Sequence, residues 1–315
     1  IMSKETERPD CEEAESKQRQ ERGGMMHKYM RTVGFSKYKN KRDMDVLLKK
    51  LAAEAKIKQE LAEAGQSHTF CEIRAEMDQG MGVALAGEID DDRNFTLEYY
   101  YPYVTSSEIS SKAECSIQRH AEKETYAGML DEYRVGISLI FYMENAVEFR
   151  KLKGRKRIKP KGVAMTGLSV QGKILLPVQK TKQQAESLKM ASKNRTKLLE
   201  AAKNGDEEAI ETLTIEDIDL YSMVSRRIMN EDIYSIIDTS FMPCGVECDQ
   251  YSVIGEIRKV ERMKNYLTGE EIYNLALDCN DMNFHVAINQ KDLLGEPLPG
   301  RRFKGQIWLQ GTVKF

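Results

Sequence analysis

The chain has 315 residues, 41% hydrophobic and 31% charged, with a formal net charge of −2. That length admits two or three compact domains, and the composition excludes collagen-like and wholly disordered polymers. The longest apolar run, residues 137–143, is far short of the roughly 20 residues that span a bilayer, so no membrane partner is expected.

Residues 1–25 hold seven acids and five bases and almost nothing apolar. Such a segment cannot bury enough surface to order itself and is expected to be a disordered tail. Met25 and Met26 stand just before the first patterned residues, so a start at either would cost the fold nothing. Asn40, three residues before Asp43, reads as a helix cap. Met44, Leu47, Leu48, Leu51 and Ala55 follow at helical spacing, with Gly65 as the stop. Strands are expected over 69–76, 81–89, 95–104 and 115–119, with Asp90, Asp91 and Asp92 as an acidic turn between the second and third. Tyr99, Tyr100, Tyr101 and Tyr103 are good strand residues, and packing accounts for most of that cluster. Residues 133–152 fit two periods. Ile137, Leu139 and Phe141 alternate as in a strand, whereas Ile137, Ile140, Glu144 and Val147 keep helical spacing. Together these elements describe an α+β domain over 26–150.

A basic linker follows over 151–162, where Lys151, Lys153, Arg155, Lys156, Arg157, Lys159 and Lys161 occur without an acid. Such runs are normally solvated. Residues 163–240 read as a hairpin turning at Gln171 and Gly172, strands 163–169 and 173–179, and then helices. The first helix, 181–203, has Ala185, Leu188, Leu198 and Ala202 on one side and closes at Asn204 and Gly205. Thr214 is expected to cap the second, in which Ile218, Tyr221, Val224 and Ile228 share a face. Charge divides sharply here. Residues 150–203 carry 16 Lys and Arg against Glu186 and Glu200, net +14, while 206–249 carry 12 acids against Arg226 and Arg227, net −10. A field of either sign could recruit a partner that the overall charge would not. The equal alternative is that the two blocks neutralise one another within the fold.

The C-terminal end reads as strands over 251–261, 271–279, 283–290 and 301–315, within a unit at 241–315. Short antiparallel strands of this spacing suggest a small β-barrel, OB-like or SH3-like, because closure removes exposed edges. Alternation puts Phe303, Ile307 and Leu309 in the core and Arg302, Lys304, Gln306 and Trp308 on the other face, with His285 and Asn289 outward on the preceding strand. With Arg301 and the basic linker, that cationic aromatic face suits single-stranded nucleic acid. The competing reading, that Trp308 packs under a helical segment at a domain interface, carries more weight.

Evidence for catalysis is thinner. Cys11, Cys71, Cys115, Cys244, Cys248 and Cys279 follow no secretory signal, and a reducing cytoplasm fits them best. Cys244 and Cys248 have no histidine or second pair nearby to complete a zinc set. His27, His68, His120 and His285 are not spaced as a metal pair, and there is neither a P-loop nor a GxGxxG after a strand. Asp238, Glu247, Asp249 and Glu256 are the richest carboxylate group and could offer hard oxygen ligands to a divalent cation, although a solvated acidic loop is the simpler account. No cofactor is expected.

Several blocks, MHKYMRTVGFSKYKN, YRVGISLIFYMEN, GDEEAIETLTIEDIDLYSMVSRR, FMPCGVECDQYSVIGEI and LLGEPLPGRRFKGQIWLQG, resemble an uncharacterised clostridial group, the domain of unknown function 3881. The resemblance covers about residues 26–312. It implies a cytoplasmic bacterial protein and supplies no catalytic residue, cofactor or partner. The expectation is therefore a multidomain α+β protein that binds rather than catalyses, through protein contacts or self-association. Nucleic-acid binding is the alternative, and a metal-dependent enzyme using the acidic group comes third.

Overall fold

The computed structural model describes residues 27–62, 69–119, 125–152, 159–178, 181–246 and 248–315. The tail at 1–25, Gly65, His68, His120 and Glu247 lie outside the described residues. The described chain begins with a 3₁₀ turn, Lys28–Val33, that buries Tyr29, Met30, Thr32 and Val33. It ends at Gly34 with φ +92°, where a Cβ would sit 2.6 Å from that of Asn265, so both backbone and space demand glycine.

Helix α1, Lys41–Glu54, starts where the sequence places it: the Asn40 side chain accepts from the Asp43 N–H, and Met44, Leu47, Leu48 and Leu51 are buried. It stops earlier than its spacing suggests. Ala55 is already extended, and β1, Ile57–Leu61, pairs with the following strand from Ile57 opposite Arg74 to Leu61 opposite Phe70. Sheet pairing at this edge overrides a weak helical preference. Strands β2, Thr69–Asp78, β3, Met81–Ile89, and β4, Phe95–Val104, complete a four-stranded antiparallel sheet in the order β1-β2-β3-β4.

Next come β5, Cys115–Arg119, β6, Tyr126–Glu132, and β7, Ile137–Met143, followed by α2, Ala146–Leu152. The segment with two competing periods is thus a strand and then a helix, each period holding over its own part. Beyond the linker lie β8, Gly162–Ser169, β9, Gly172–Leu175, α3, Lys182–Lys203, α4, Glu207–Ile228, and α5, Ile233–Ile236. Thr181 caps α3 in a reciprocal box with Gln184. Thr214 does not cap α4. Asp206 does, accepting from the Ala209 N–H, because a carboxylate directly after the Gly205 turn offers an earlier cap; the Thr214 hydroxyl donates to the Ile210 carbonyl within the helix. The chain then runs through β10, Ser240–Pro243, β11, Gln250–Lys264, β12, Glu271–Cys279, β13, Met282–Asn289, β14, Leu293–Leu294, and β15, Arg302–Lys314.

These strands form one sheet in the order β10-β11-β12-β13-β8-β15-β7-β6-β5, with β9 and β14 off this path. Strand β11 also pairs with β15, so β11, β12, β13, β8 and β15 close into a ring. The long β11 serves two neighbours: residues 250–256 face β15 and residues 256–264 face β12, with a register shift between Ile257 and Lys259. The sheet is mixed rather than purely antiparallel, since β13 with β8 and β15 with β7 run parallel. The expected hairpin over 163–179 does not form: β8 and β9 do not pair with each other but lie one after the other, both antiparallel, along β15, so the strand that completes the ring, β8, comes from outside 241–315.

Two cores result. Tyr251, Val253, Leu275, Leu277, Phe284, Val286, Phe303, Ile307 and Leu309 gather the inward side chains of the ring. Met30, Phe35, Leu47, Leu51, Ile73, Leu85, Leu168 and Trp308 pack α1, the small sheet and the 3₁₀ turn against the ring's other face. No helix among the described residues is long and apolar enough to cross a membrane.

Candidate functional site

Trp308 sits on β15 on the face opposite Phe303, Ile307 and Leu309, as alternation requires, but that face is covered. Its ring stacks on Tyr29 at 5.3 Å and meets Tyr142 at 5.2 Å, and its Nε1–H donates to Asp249 Oδ2 at 2.7 Å. The indole therefore offers no open stacking surface. The sequence pattern fixes the side of the strand, whereas the cover comes from a 3₁₀ turn far away in the chain.

Arg302 is also buried. Its guanidinium donates to the carbonyls of Leu176 at 2.7 Å, Tyr234 at 2.7 Å and Ile237 at 2.5 Å, and loss of solvent lowers its pKa from the usual arginine value. It ties α5 and the end of β9 to the ring. Lys304 lies over the Tyr234 ring at 4.2 Å and donates to its hydroxyl, while Lys173 approaches the same ring at 4.6 Å. The Lys304 hydrogen bond and the two positive charges lower the Tyr234 pKa. His285 Nδ1 is 3.1 Å from Asn274 Oδ1, Arg301 donates to the Glu296 carbonyl, and Asn289, expected outward, is instead buried, its amide donating to the Arg31 carbonyl and to Glu270 Oε2 beneath the 3₁₀ turn. These residues are engaged separately and do not assemble into one exposed face.

In the basic linker, Lys151 ends up on α2, and Lys161 Nζ donates to the Phe315 carbonyl at 2.8 Å; both, like Lys159, are exposed. Lys153, Arg155, Lys156 and Arg157 lie outside the described residues. The carboxylates are scattered too. Asp249 accepts from Trp308, Glu256 pairs with Arg258 at 2.7 Å, and the Asp238 carbonyl faces Arg302. Among the described residues no group of three or more His, Cys, Asp or Glu is arranged to hold a metal.

Sequence reasoning missed a buried polar seam between the two sheets. On β2, Arg74 Nε donates to Glu72 Oε1 at 2.9 Å and Nη2 donates to the Glu144 carbonyl at 2.6 Å. Tyr101 on β4 donates to Glu72 Oε2 at 3.0 Å. The Glu144 side chain, between β7 and α2, is 1% exposed, and its Oε2 has no hydrogen-bond partner among the described residues. Burial pushes its pKa up to about 7, with attraction from Arg74 and Lys314 acting against that and repulsion from Glu72 adding to it. Thr166, Gln310 and Thr312, on the neighbouring β8 and β15, add buried side-chain oxygens that have no hydrogen-bond partner among the described residues. The available signal was the alternation of Glu72, Arg74, Glu76 and Asp78 along β2, a pattern that by itself reads as a solvated strand face. Its meaning depended on a carboxylate 70 residues away in the chain.

The most exposed apolar surface belongs to the α3–α4 hairpin. Helix α3 has six bases against two acids and α4 six acids against two bases, so the pair is +4 beside −4. Arg195 joins them through Asp217 at 2.6 Å and Glu216 at 3.6 Å. Part of the opposite charge that stands out in the sequence is thus satisfied within the fold. At the closed end, Lys203 bonds Asp131. An open groove of about 790 Å³ separates α3 from the turns holding Arg134 and Asp281, with Met190, Lys193 and Lys197 on its helical side. Helix α4 buries only Ala209 and Leu213 of its 22 residues. Ile215, Ile218 and Tyr221 are 55%, 60% and 76% exposed, and Ile210, Leu220, Met223, Ile228 and Met229 are exposed as well. A helix apolar on this much of its circumference ordinarily has a neighbour on more than one side.

A family model described as a domain of unknown function, E. rectale gene description (DUF3881), matches residues 30–311. The chain belongs to this family. The DUF3881 span takes in both sheets, the polar seam and the helical hairpin. No curated protein and no solved structure matches the chain.

Proposed function

We propose that this DUF3881 protein is a non-enzymatic binding protein of the cytoplasm that acts through protein contacts made by the outer face of α4. The observation that carries the reading is the exposure of Ile215, Ile218 and Tyr221 along one side of that helix, since contiguous exposed apolar patches on soluble proteins mark interaction sites. The cytoplasmic part is supported by Cys71, Cys115, Cys244, Cys248 and Cys279, all present as thiols.

The ring is, on this reading, a small barrel of OB type with its final strand moved to the front of the order. Support comes from the strand sequence around it, from the long β11 shared between β12 and β15, and from the parallel β13–β8 pair. An SH3-like alternative is disfavoured by that parallel pair. The barrel then serves as the scaffold from which the hairpin is presented.

The test is a photo-crosslinking side chain at Tyr221 in the intact chain inside cells, with Lys259 on the exposed β11 surface as control. A discrete protein adduct from position 221, lost when Ile218→Asp is added and absent from position 259, is the expected result. No adduct from position 221 would refute the reading.

A further inference from the structure

The charge on α4 is segregated along its length as well as against α3. Glu207, Glu208 and Glu211 occupy the first turns, and Arg226 and Arg227 the last. Each end suits the helix dipole, but the same arrangement makes the helix complementary to an antiparallel copy of itself. Arg227 is held by Glu231 at 2.7 Å. Arg226 donates only through Nε to the Ser222 carbonyl, and neither it nor Glu207, Glu208 or Glu211 has an ion-pair partner among the described residues.

The apolar stripe has matching symmetry. Ile215, Ile218 and Tyr221 are spaced three apart, so a two-fold axis through Ile218 sets Ile218 against its own copy and Ile215 against Tyr221 of the other chain. The same axis carries Arg226 of one chain to the level of Ile210 on the other, between Glu207 and Glu211. Ser222 and Ser225, small residues on the same side, allow close approach of the backbones.

We infer that α4 pairs antiparallel with α4 of a second copy of this chain, about a two-fold axis at Ile218, making the protein a homodimer. This rests on the reading of α4 as a contact surface and names its occupant. The contact is isologous and self-limiting, so it closes as a dimer rather than growing into a fibre. Two 22-residue helices give a contact about 33 Å long. A single helix pair lies at the small end of stable interfaces, and the dissociation constant is expected in the micromolar range.

The experiment uses the full chain with Cys11, Cys244 and Cys248 changed to Ser, which leaves only the buried thiols Cys71, Cys115 and Cys279. In that background Ile218→Cys is expected to form a disulfide-linked dimer on mild oxidation, because residues on the axis of packed helices come within disulfide reach. Glu208→Cys is expected to give none, since the two copies of position 208 would be about 30 Å apart. Sedimentation should show Arg226→Glu weakening the dimer about tenfold or more, and Glu207→Arg with Glu211→Arg restoring it in the combined variant. A strict monomer at 100-fold above the expected dissociation constant (about 100 μM), or equal linkage from positions 218 and 208, would overturn the inference. The Tyr221 crosslink separates the two levels of the argument. An adduct with another copy supports the dimer, one with a different protein overturns the dimer while leaving the contact reading intact, and none overturns both.

Discussion

The Glu144 carboxyl makes the stability of this protein depend on pH in a calculable way. Burial raises its pKa from 4.5 to about 7. The unfolded chain therefore releases this proton near the lower value while the folded chain holds it to the higher one. Between the two the folded state binds more protons, so stability is fully present below about pH 4.5 and falls as pH rises through about 7. At roughly 1.36 kcal/mol per pKa unit, the loss is about 3 kcal/mol. The facing groups are Glu72 and Arg74 on β2, Tyr101 on β4, Tyr142 on β7 and Lys314 on β15. The tyrosines Tyr101 and Tyr142 are held protonated by burial, far above this window. Glu144→Gln keeps the shape and removes the ionisation. Urea melts of both proteins from pH 4.5 to 8.5 should differ little at the acid end and diverge by about 3 kcal/mol at the alkaline end, the variant being the more stable. Parallel profiles across that range would refute a carboxyl held neutral between the sheets.

Three other outcomes follow from particular contacts. Trp308 is the sole tryptophan, and its burial under Tyr29 predicts blue-shifted emission and weak iodide quenching in the native protein; strong quenching would contradict the packed indole. Arg302→Ala leaves the Leu176, Tyr234 and Ile237 carbonyls without their donor and should cost about 2–3 kcal/mol, with hydrogen exchange rising first over residues 233–237. Gly128→Ala would place a Cβ 2.1 Å from the Phe141 ring, and such overpacking should lower stability by about 1–3 kcal/mol, read as a fall in thermal midpoint.

Local chemistry carried much of the fold. Asn40 caps a helix where its side chain and the following periodicity place it, whereas Thr214, expected as the second cap, lies inside a helix that Asp206 begins. The C-terminal strands and the inward set of Phe303, Ile307 and Leu309 follow from alternation alone. Pairing partners do not. Nothing in residues 162–169 declares that they lie between β13 and β15, because ring closure is decided by segments over a hundred residues apart. Strand β1 was hidden inside an apparent helix, and β6, Tyr126–Glu132, was not anticipated. At the candidate sites the same division holds. The polar side of β15 was legible, but the Tyr29 cover that turns Trp308 into core was not. Ile218, Tyr221 and Ile228 were correctly grouped by spacing, and only the fold shows that this group is left open.

The placement of β15 has a consequence for how the molecule comes into being on the ribosome. This one strand hydrogen-bonds to β7, β8, β9 and β11, and all four precede it in the chain. Until residues 302–314 emerge from the exit tunnel, those partners hold unpaired edges at the same time. The small sheet and α1 can settle locally during synthesis, but the larger half must wait for its keystone, which leaves a window in which nascent chains depend on chaperones. A stop codon shortly before Arg302 should therefore yield aggregates rather than a smaller folded protein.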